Sequence, residues 1–350
     1  MLNRRTLLKS SVAFATAMAS TSVTMASEGP LKVVATFSVL GDMVSRIGGE
    51  HVSVTTLVGP DGDAHVYQPV PADAKALRDA SVLVVNGLGF EGWLDRLVDA
   101  SGFQGVRVAG TDGITPLAFG EDAHHDDEKH DDHGDDADHK DDDHAEHHDD
   151  DHKDGDHAGH KDGEEHADHD HHDHGAFDPH GWHSVTNAVI YVDNITAALS
   201  KADPTNASTY FENRAAYVAE IEAMDAEIRT AVATLPLGAR TVVTQHDAFG
   251  YFADAYGLTF VAPQGLSTES EASAADVAKL IRQIRAENIK AVFVENVADS
   301  RLLEQISNET GAVIGGALYS DALSAPDGPA GTYLDMMRHN TMTLVGALAS

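Results

Sequence analysis

Histidine dominates the chemistry available to this 350-residue sequence, which contains 22 histidines and no cysteine. Without cysteine the chain can form no disulfide, no thiolate metal site and no cysteine nucleophile. Any metal site must therefore use imidazole and carboxylate ligands. Such ligands suit zinc, manganese, iron, nickel or copper, and imidazole-rich sites favour the later metals of that series.

Three histidines lie in predicted loops beside regular elements, where ligands commonly bind. His65 lies in a loop directly after a strand, His180 lies in irregular backbone just before a helix, and His246 immediately follows a strand. In open parallel sheets, ligands bind outside the carboxyl ends of the strands, and loops there often carry function. Together these three histidines are a better candidate for a metal site than any one of them alone.

Four further ionisable residues are weaker candidates. His183 follows His180 closely and is either a surface residue at the start of a helix or an accessory ligand. Glu295 ends a predicted strand, and we favour a helix cap or a salt bridge over a role in lining a cleft. His51 and His339 are interpreted as structural.

Short β-type runs alternate with helical segments along most of the chain, which predicts βαβ units around parallel sheets. We therefore predict an α/β protein of two lobes, each a parallel-rich sheet with flanking helices, joined by a long linking helix. The N-terminal lobe covers residues 27–202, the linking helix 203–236 and the C-terminal lobe 237–350. Strands are predicted at 31–37, 51–58, 81–86, 240–245, 258–262, 290–295 and 312–319, and helices at 39–47, 71–80, 91–100, 185–202, 204–235, 248–256, 272–286, 300–310 and 332–348.

The long helix at 204–235 has a predicted start and a predicted buried face. Asp203 is expected to cap it, with Pro204 in its first turn. Apolar residues recur at helical spacing on one face. They are Tyr210, Tyr217, Ile221, Met224 and Ile228. At about 1.5 Å per residue, the helix is long enough to run past one lobe and into the other.

The first 26 residues are predicted to be a signal peptide. Arg4 and Arg5 precede a mildly apolar run at 12–19 that is too short to span a membrane, and cleavage is predicted after Ala26. The arginine pair resembles a twin-arginine signal, and an ordinary Sec signal stays open. We expect a periplasmic protein that is not inserted in the membrane and, lacking cysteine after the cleavage region, not lipid-anchored there.

Residues 121–174 interrupt the alternating pattern with a highly charged run. This segment holds 25 acidic residues, four lysines and 16 histidines, and it carries −21 of the chain's net charge of −34. It has too little apolar surface to offset the entropy of ordering, so we predict a disordered insertion. Its side chains are expected to bind divalent metal weakly, either as a collector that feeds a tighter site or as a solvated spacer. Without a basic patch, the chain is not expected to bind nucleic acid.

Five motifs together resemble those of the cluster A-I family, the zinc- and manganese-binding proteins of ABC importers. In chain order they are His-x-Tyr-x-Pro at 65–69, Asp-Pro-His-x-Trp at 178–182, a histidine and an aromatic-rich helix at 246–256, Glu-x-Ser at 271–273, and a late aspartate, Asp321, after the last strand. A long helix between the lobes and an acidic, histidine-rich insertion before the second ligand are also typical of zinc-binding members. The resemblance covers essentially the whole mature chain.

The resemblance implies four metal ligands, two from each half of the chain. They are His65, His180, His246 and Asp321. Three imidazoles and one carboxylate make a near-tetrahedral set that suits Zn²⁺. Manganese-binding members usually carry a carboxylate where this chain has His246, which favours zinc. Some zinc-binding members carry a glutamate where this chain has Ala64, so the fourth ligand is Asp321 or a water, and we favour Asp321.

The function that the resemblance implies is high-affinity capture of Zn²⁺ in the periplasm by a monomer, followed by delivery to the membrane permease of an ABC importer. The sequence contains no His-Glu-x-x-His, no Gly-x-Ser-x-Gly and no phosphate-binding glycine loop, so we predict a binding protein rather than an enzyme. Three alternatives stay open. They are a manganese- or iron-binding protein of the same fold, a zinc hydrolase if a water replaces Asp321, and a metal buffer that depends only on residues 121–174.

Overall fold

The computed structural model describes residues 29–119 and 177–349. Within these two ranges the chain forms two four-stranded sheets, and every strand pair in both is parallel. This confirms the predicted α/β fold class. The predicted signal peptide at 1–26 and the predicted insertion at 121–174 lie outside the described residues. In the part of the chain that is described, no helix is long and apolar enough to cross a membrane.

The first sheet is built from the residues before the charged segment. Its strands and the helices around them are β1 (Leu31–Phe37), α1 (Ser38–Gly48), β2 (Val52–Val58), α2 (Pro71–Asp79), β3 (Val82–Val85), α3 (Leu94–Ser101), β4 (Val106–Ala109) and α4 (Val185–Ala202). The strand order is β2-β1-β3-β4. Most of β1 and all of β3 are buried, which explains their continuous apolar sequences. The short, half-exposed strand β4 was not predicted.

A long helix, α5 (Ala207–Ala233), follows α4. Its predicted face is buried as expected, since Tyr210, Tyr217 and Ile228 are at most 1% exposed. The predicted cap was wrong, because the helix begins after Asn206 rather than after Asp203. The Asp203 carboxylate instead accepts hydrogen bonds from Asn206 Nδ2 (2.6 Å) and Tyr210 Oη (2.8 Å), which hold it beside the first turn.

The second sheet repeats the arrangement of the first. Its elements are β5 (Thr241–Val243), α6 (Gly250–Tyr256), β6 (Thr259–Val261), α7 (Ala274–Glu287), β7 (Ala291–Glu295), α8 (Arg301–Thr310), β8 (Val313–Leu318) and α9 (Tyr333–Leu348). The strand order is β6-β5-β7-β8. In both sheets the chain changes direction beside an inner strand, which leaves a crevice at the carboxyl ends of the strands.

One apolar core contacts both sheets. It contains Phe37 of β1, residues of α5 and α9, and Val242 and Phe293 of the second sheet. The next residue of β5, Val243, belongs to a second core beneath α7 and α8, because successive strand residues point to opposite faces. The two halves are therefore joined by continuous packing through α5 and α9. The boundaries predicted for the lobes, at 202 and 236, stay a prediction.

Candidate metal centre

Four side chains converge between the two sheets, and they are the four that the sequence singled out. They are His65, His180, His246 and Asp321, and one ligand atom of each lies within 4.8 Å of the others. Asp321 Oδ2 lies 3.1 Å from His246 Nε2 and 3.3 Å from His65 Nε2. Asp321 Oδ1 lies 3.5 Å from His180 Nε2. The Nε2 atoms of His65 and His180 are 3.4 Å apart, so all three rings direct Nε2 at one point.

Each of the four residues lies in a loop at the end of an element. His65 lies between β2 and α2, and His180 directly precedes a short 3₁₀ helix before α4. His246 lies between β5 and α6, and Asp321 follows β8. Loops after parallel strands gather at one edge of a sheet. The two sheets present these edges to each other, and each sheet supplies ligands to the same point.

Three hydrogen bonds at Asp63 and Ala64 hold the loop beside His65. Asp63 Oδ1 accepts the His65 amide (2.9 Å), and Asp63 Oδ2 accepts the hydroxyl of Thr268 from the second half of the chain (2.6 Å). Trp93 Nε1 donates to the carbonyl of Ala64 (2.7 Å), and Ala64 itself is fully buried. The loop is thus fixed to both halves of the molecule next to the candidate site.

Two of the three imidazoles contact a second carboxylate through their other ring nitrogen. His180 Nδ1 is hydrogen-bonded to Asp178 Oδ1 at 2.8 Å. His246 Nδ1 lies 2.6 Å from Glu295 Oε2 in an ion-pair contact. Glu295 thus makes the salt bridge that the sequence favoured, and its partner is a candidate ligand. Carboxylates in this position orient a histidine and leave Nε2 free for a metal.

The centre of the site contains buried polar atoms without hydrogen-bond partners. Asp321 Oδ1, Asp321 Oδ2 and His246 Nε2 are all buried, and none makes a hydrogen bond within the described part of the chain. Buried polar atoms are nearly always hydrogen-bonded, so such a cluster needs an explanation. A cation bound among the four side chains would satisfy these atoms together.

Burial and neighbouring charges shift the pKa values of three of the four side chains in the site. Burial lowers the pKa of His65. Burial would also lower the pKa of His246, but the carboxylates of Glu295 and Asp321 outweigh it and raise that pKa well above its ordinary value. Burial would raise the pKa of Asp321, yet His246 and His180 hold it well below its usual range. The site therefore presents an ionised carboxylate among imidazoles, which suits a divalent cation.

The other three histidines named as weaker candidates, His183, His51 and His339, lie outside the four-residue cluster. His183 is fully buried, so of its two interpretations the surface residue is wrong, and its Nε2 contacts Ser320 O at 3.0 Å. Burial lowers its pKa to about 3. His51 packs edge-on against Tyr210, with ring centroids 6.3 Å apart. His339 Nε2 contacts a backbone carbonyl at 3.0 Å. The last two contacts fit the structural interpretation.

Sequence reasoning missed the role of Asp178 and the partner of Glu295. The sequence holds a local signal for Asp178, because it lies only two residues before His180. Its carboxylate accepts the amide of His180 and contacts the ring of that residue. Glu295 had none, because its contact with His246 depends on how β5 and β7 pair. Glu295 also accepts the amides of Gln245 (2.7 Å) and His246 (3.0 Å).

Comparisons with known proteins extend along almost the whole chain. The family described as zinc-uptake complex component A, periplasmic (ZnuA), matches residues 33–347. The manganese-binding lipoprotein MntA of Halalkalibacterium halodurans is 31% identical over 320 residues, which cover 91% of this chain and 89% of that protein. The iron-binding protein YfeA of Yersinia pestis is 29% identical over 313 residues, covering 89% and 85% respectively.

A solved structure shows the same similarity in three dimensions. The periplasmic zinc-binding protein TroA of Treponema pallidum is 28% identical, with a TM-score of 0.74, over 92% of this chain and 100% of that chain. The two-sheet architecture is therefore shared as a whole. The three relatives are described as binding manganese, iron and zinc, so they agree on metal binding and differ in the metal.

Proposed function

This chain belongs to the ZnuA family of periplasmic metal-uptake components, and from that membership we propose that it captures Zn²⁺ in the periplasm and delivers it to the permease of an ABC importer. The proposed ligands are His65, His180, His246 and Asp321. Zn²⁺ is the cargo in this proposal rather than a resident cofactor. Residues 1–26 would direct export.

The observation that carries the proposal is the group of unpaired polar atoms at the centre of the site. Both oxygens of Asp321 and Nε2 of His246 are buried without a hydrogen-bond partner in the described ranges. Leaving such atoms unpaired costs free energy. A metal ion that binds all four donors removes that cost and explains why three imidazole Nε2 atoms face one carboxylate.

The donor separations support zinc as the cargo. Four ligands at zinc distances of about 2.0–2.1 Å define a tetrahedron with edges of about 3.3 Å. Four donor separations in the site, two to Oδ2 of Asp321, one to its Oδ1 and one between His65 and His180, run from 3.1 to 3.5 Å. Three nitrogen donors with one carboxylate also suit zinc better than manganese, which prefers oxygen ligands. Manganese or iron remains the second candidate, because relatives of the same fold are described as binding them.

The charged segment at 121–174 is proposed as an accessory collector. Its described flanks are close to the site, because Ala118 pairs with Phe177 and the Leu117 carbonyl accepts the amide of Asp178 (2.9 Å). Asp178 in turn holds His180. Metal collected by the segment would thus arrive beside one of the proposed ligands.

Zinc titration of two variants tests the proposal. One variant lacks residues 121–174, and the other replaces His65, His180 and His246 with alanine. The deletion should keep one tight site, and the triple variant should lose it. A matched control replaces His51 and His339, which lie outside the cluster, and should keep the tight site.

Two results would contradict the proposal. Loss of tight binding on deletion of residues 121–174 would show that the four-residue site is not the capture site. Competition on the deletion variant tests the metal, because zinc should displace bound manganese and iron. If manganese or iron displaces zinc instead, the cargo assignment is wrong while the site assignment stands.

A further inference from the structure

The residue before Asp321 is held by side chains from the first half of the chain. The carbonyl of Ser320 accepts a hydrogen bond from Trp182 Nε1 and contacts His183 Nε2, both at 3.0 Å. Trp182 and His183 belong to the segment just after His180. The loop from the second sheet is therefore positioned by the same short segment that supplies another proposed ligand.

The residues after Asp321 are held in the same way. The Leu323 amide donates to Ser38 Oγ (2.9 Å), and the Leu323 carbonyl accepts the amide of Asp61 (2.9 Å). Ser38 begins α1, and Asp61 lies in the loop after β2. Asp321 is thus bracketed on both sides by contacts to the first half.

His183 leaves one ring nitrogen buried without a hydrogen-bond partner, a cost that an apolar ring in the same place would not have. Its ring is fully buried and packs against Phe249, with centroids 4.7 Å apart and planes tilted by 37°. A carbonyl oxygen can only accept, so Nε2 carries the proton, and Nδ1 is left buried without a partner. Phenylalanine would fill this space without an unpaired nitrogen. The bond to Ser320 is therefore what histidine supplies here and phenylalanine would not.

We propose that His183 is a positioning residue for metal capture: with Trp182 it holds the Ser320 carbonyl and thereby sets the Asp321 carboxylate among the three imidazoles. The inference rests on the proposed function, since it takes Asp321 as a ligand. Two donors on one carbonyl fix both its position and its direction. A carboxylate that is already placed loses little freedom when the metal binds, which increases affinity.

Three single variants test this role. His183→Phe keeps a ring packed against Phe249 and removes the donor, whereas His183→Gln restores an N–H near the position of Nε2. His339→Phe is the matched control, because it breaks a contact of the same kind and length, from Nε2 to the carbonyl of Ala317 (3.0 Å). Zinc affinity is measured by competition with a chromophoric chelator, and the Tm of the metal-free protein is measured beside it.

We expect His183→Phe to lower zinc affinity about tenfold without lowering the metal-free Tm. His183→Gln should recover most of the affinity, and His339→Phe should match the wild type. Wild-type affinity in His183→Phe would overturn the inference. An equal loss in His183→Gln and His183→Phe would overturn it too, because the donor would then not be what matters.

A double variant separates this inference from the proposed function. In an Asp321→Ala background, His183→Phe should have no further effect, because its influence passes through Asp321. If His183→Phe lowers affinity by the same factor in that background, His183 acts by another route and the inference fails. If Asp321→Ala alone keeps wild-type affinity, the proposed ligand set is wrong. If Asp321→Ala weakens binding and His183→Phe does not, only the role of His183 is wrong.

Discussion

Replacing Glu295 with glutamine is the sharpest test of how the site prepares His246 for a metal. Glu295 is 3% exposed, and its Oε1 accepts the amides of Gln245 and His246. Its Oε2 lies 2.6 Å from His246 Nδ1. Both oxygens thus face donors. A glutamine side chain has only one oxygen, so in either orientation its NH₂ group faces a donor.

The expected loss follows from the two orientations of that amide. If the NH₂ faces His246, the ring must accept at Nδ1 and carry its proton on Nε2, the atom that should bind the metal. If the NH₂ faces the backbone, it opposes two amide N–H groups. Partners of metal-bound histidines are typically worth 10- to 100-fold in affinity. We therefore expect Glu295→Gln to weaken zinc binding by about 10- to 100-fold, or about 1.4–2.7 kcal/mol.

A second effect of the same substitution has the opposite sign. The charge of Glu295 raises the pKa of His246. Removing that charge lowers the pKa, so a smaller fraction of the His246 rings carries a proton that the metal must displace. This would favour binding at low pH. Affinity measured with a competing chelator from pH 6 to 9 separates the two effects, because the loss from misorientation persists at high pH.

Glu91→Gln provides the matched control. Glu91 is another buried carboxylate, in the loop after the inner strand β3, and it accepts the amides of Asn86 (2.6 Å) and Gly87 (3.3 Å) and the hydroxyl of Thr36 (2.6 Å). It has no ion-pair or hydrogen-bond contact with a proposed ligand among the described residues. Glu91→Gln should therefore keep zinc affinity even if it lowers Tm. Zinc affinity within twofold of wild type in Glu295→Gln at every pH, or an equal loss in both variants, would show that Glu295 does not orient His246 for the metal.

Two other predictions concern protons and packing at the site. Zinc binding should release about one proton from His246 at neutral pH. Burial lowers the pKa of that ring, but the charges of Glu295 and Asp321 outweigh burial and raise the pKa well above its ordinary value. The ring is then protonated without metal and neutral with metal bound, so zinc affinity rises with pH. Calorimetry in two buffers of different ionisation enthalpy measures the released proton. A heat of binding that does not depend on the buffer would contradict this prediction. Replacing Gly250 with alanine should weaken zinc binding, because a Cβ there would lie 2.5 Å from Asp178 Oδ2 and displace the carboxylate that orients the second histidine. Chelator competition measures this loss, and an unchanged affinity would show that the carboxylate tolerates the shift.

Element types could be predicted along most of the chain, whereas their ends depended on distant contacts. β1 and β3 are apolar runs because they are buried within the sheet. The helix predicted to begin at 91 begins at Leu94 instead, because the Glu91 side chain turns inward to the amides that follow β3. Helix α5 begins later than predicted for a similar reason, since the Asp203 carboxylate accepts a hydrogen bond from Tyr210 rather than capping the helix.

The residues that converge could also be selected before the fold was known. An absence of cysteine restricts the donors to imidazole and carboxylate. Their placement in loops beside regular elements separated His65, His180 and His246 from His51, which begins a predicted strand, and from His339, which lies in a predicted helix. The sequence left His183 open as a surface residue or an accessory ligand, because nothing local shows that the loop carrying Asp321 covers its segment.

Residue types alone show which donors the chain has, and the position of Asp178 two residues before His180 is a local signal of its contact with that ring that was not used in the prediction. The tertiary structure brings the four side chains together across two sheets, with four of the distances between their ligand atoms at 3.1–3.5 Å. It alone paired His246 with Glu295 and bracketed Asp321 with contacts from the first half. Periodicity specifies which face of an element is buried, but it does not specify which loops meet. That depends on the shared core through α5 and α9 and on hydrogen bonds between residues far apart in the chain.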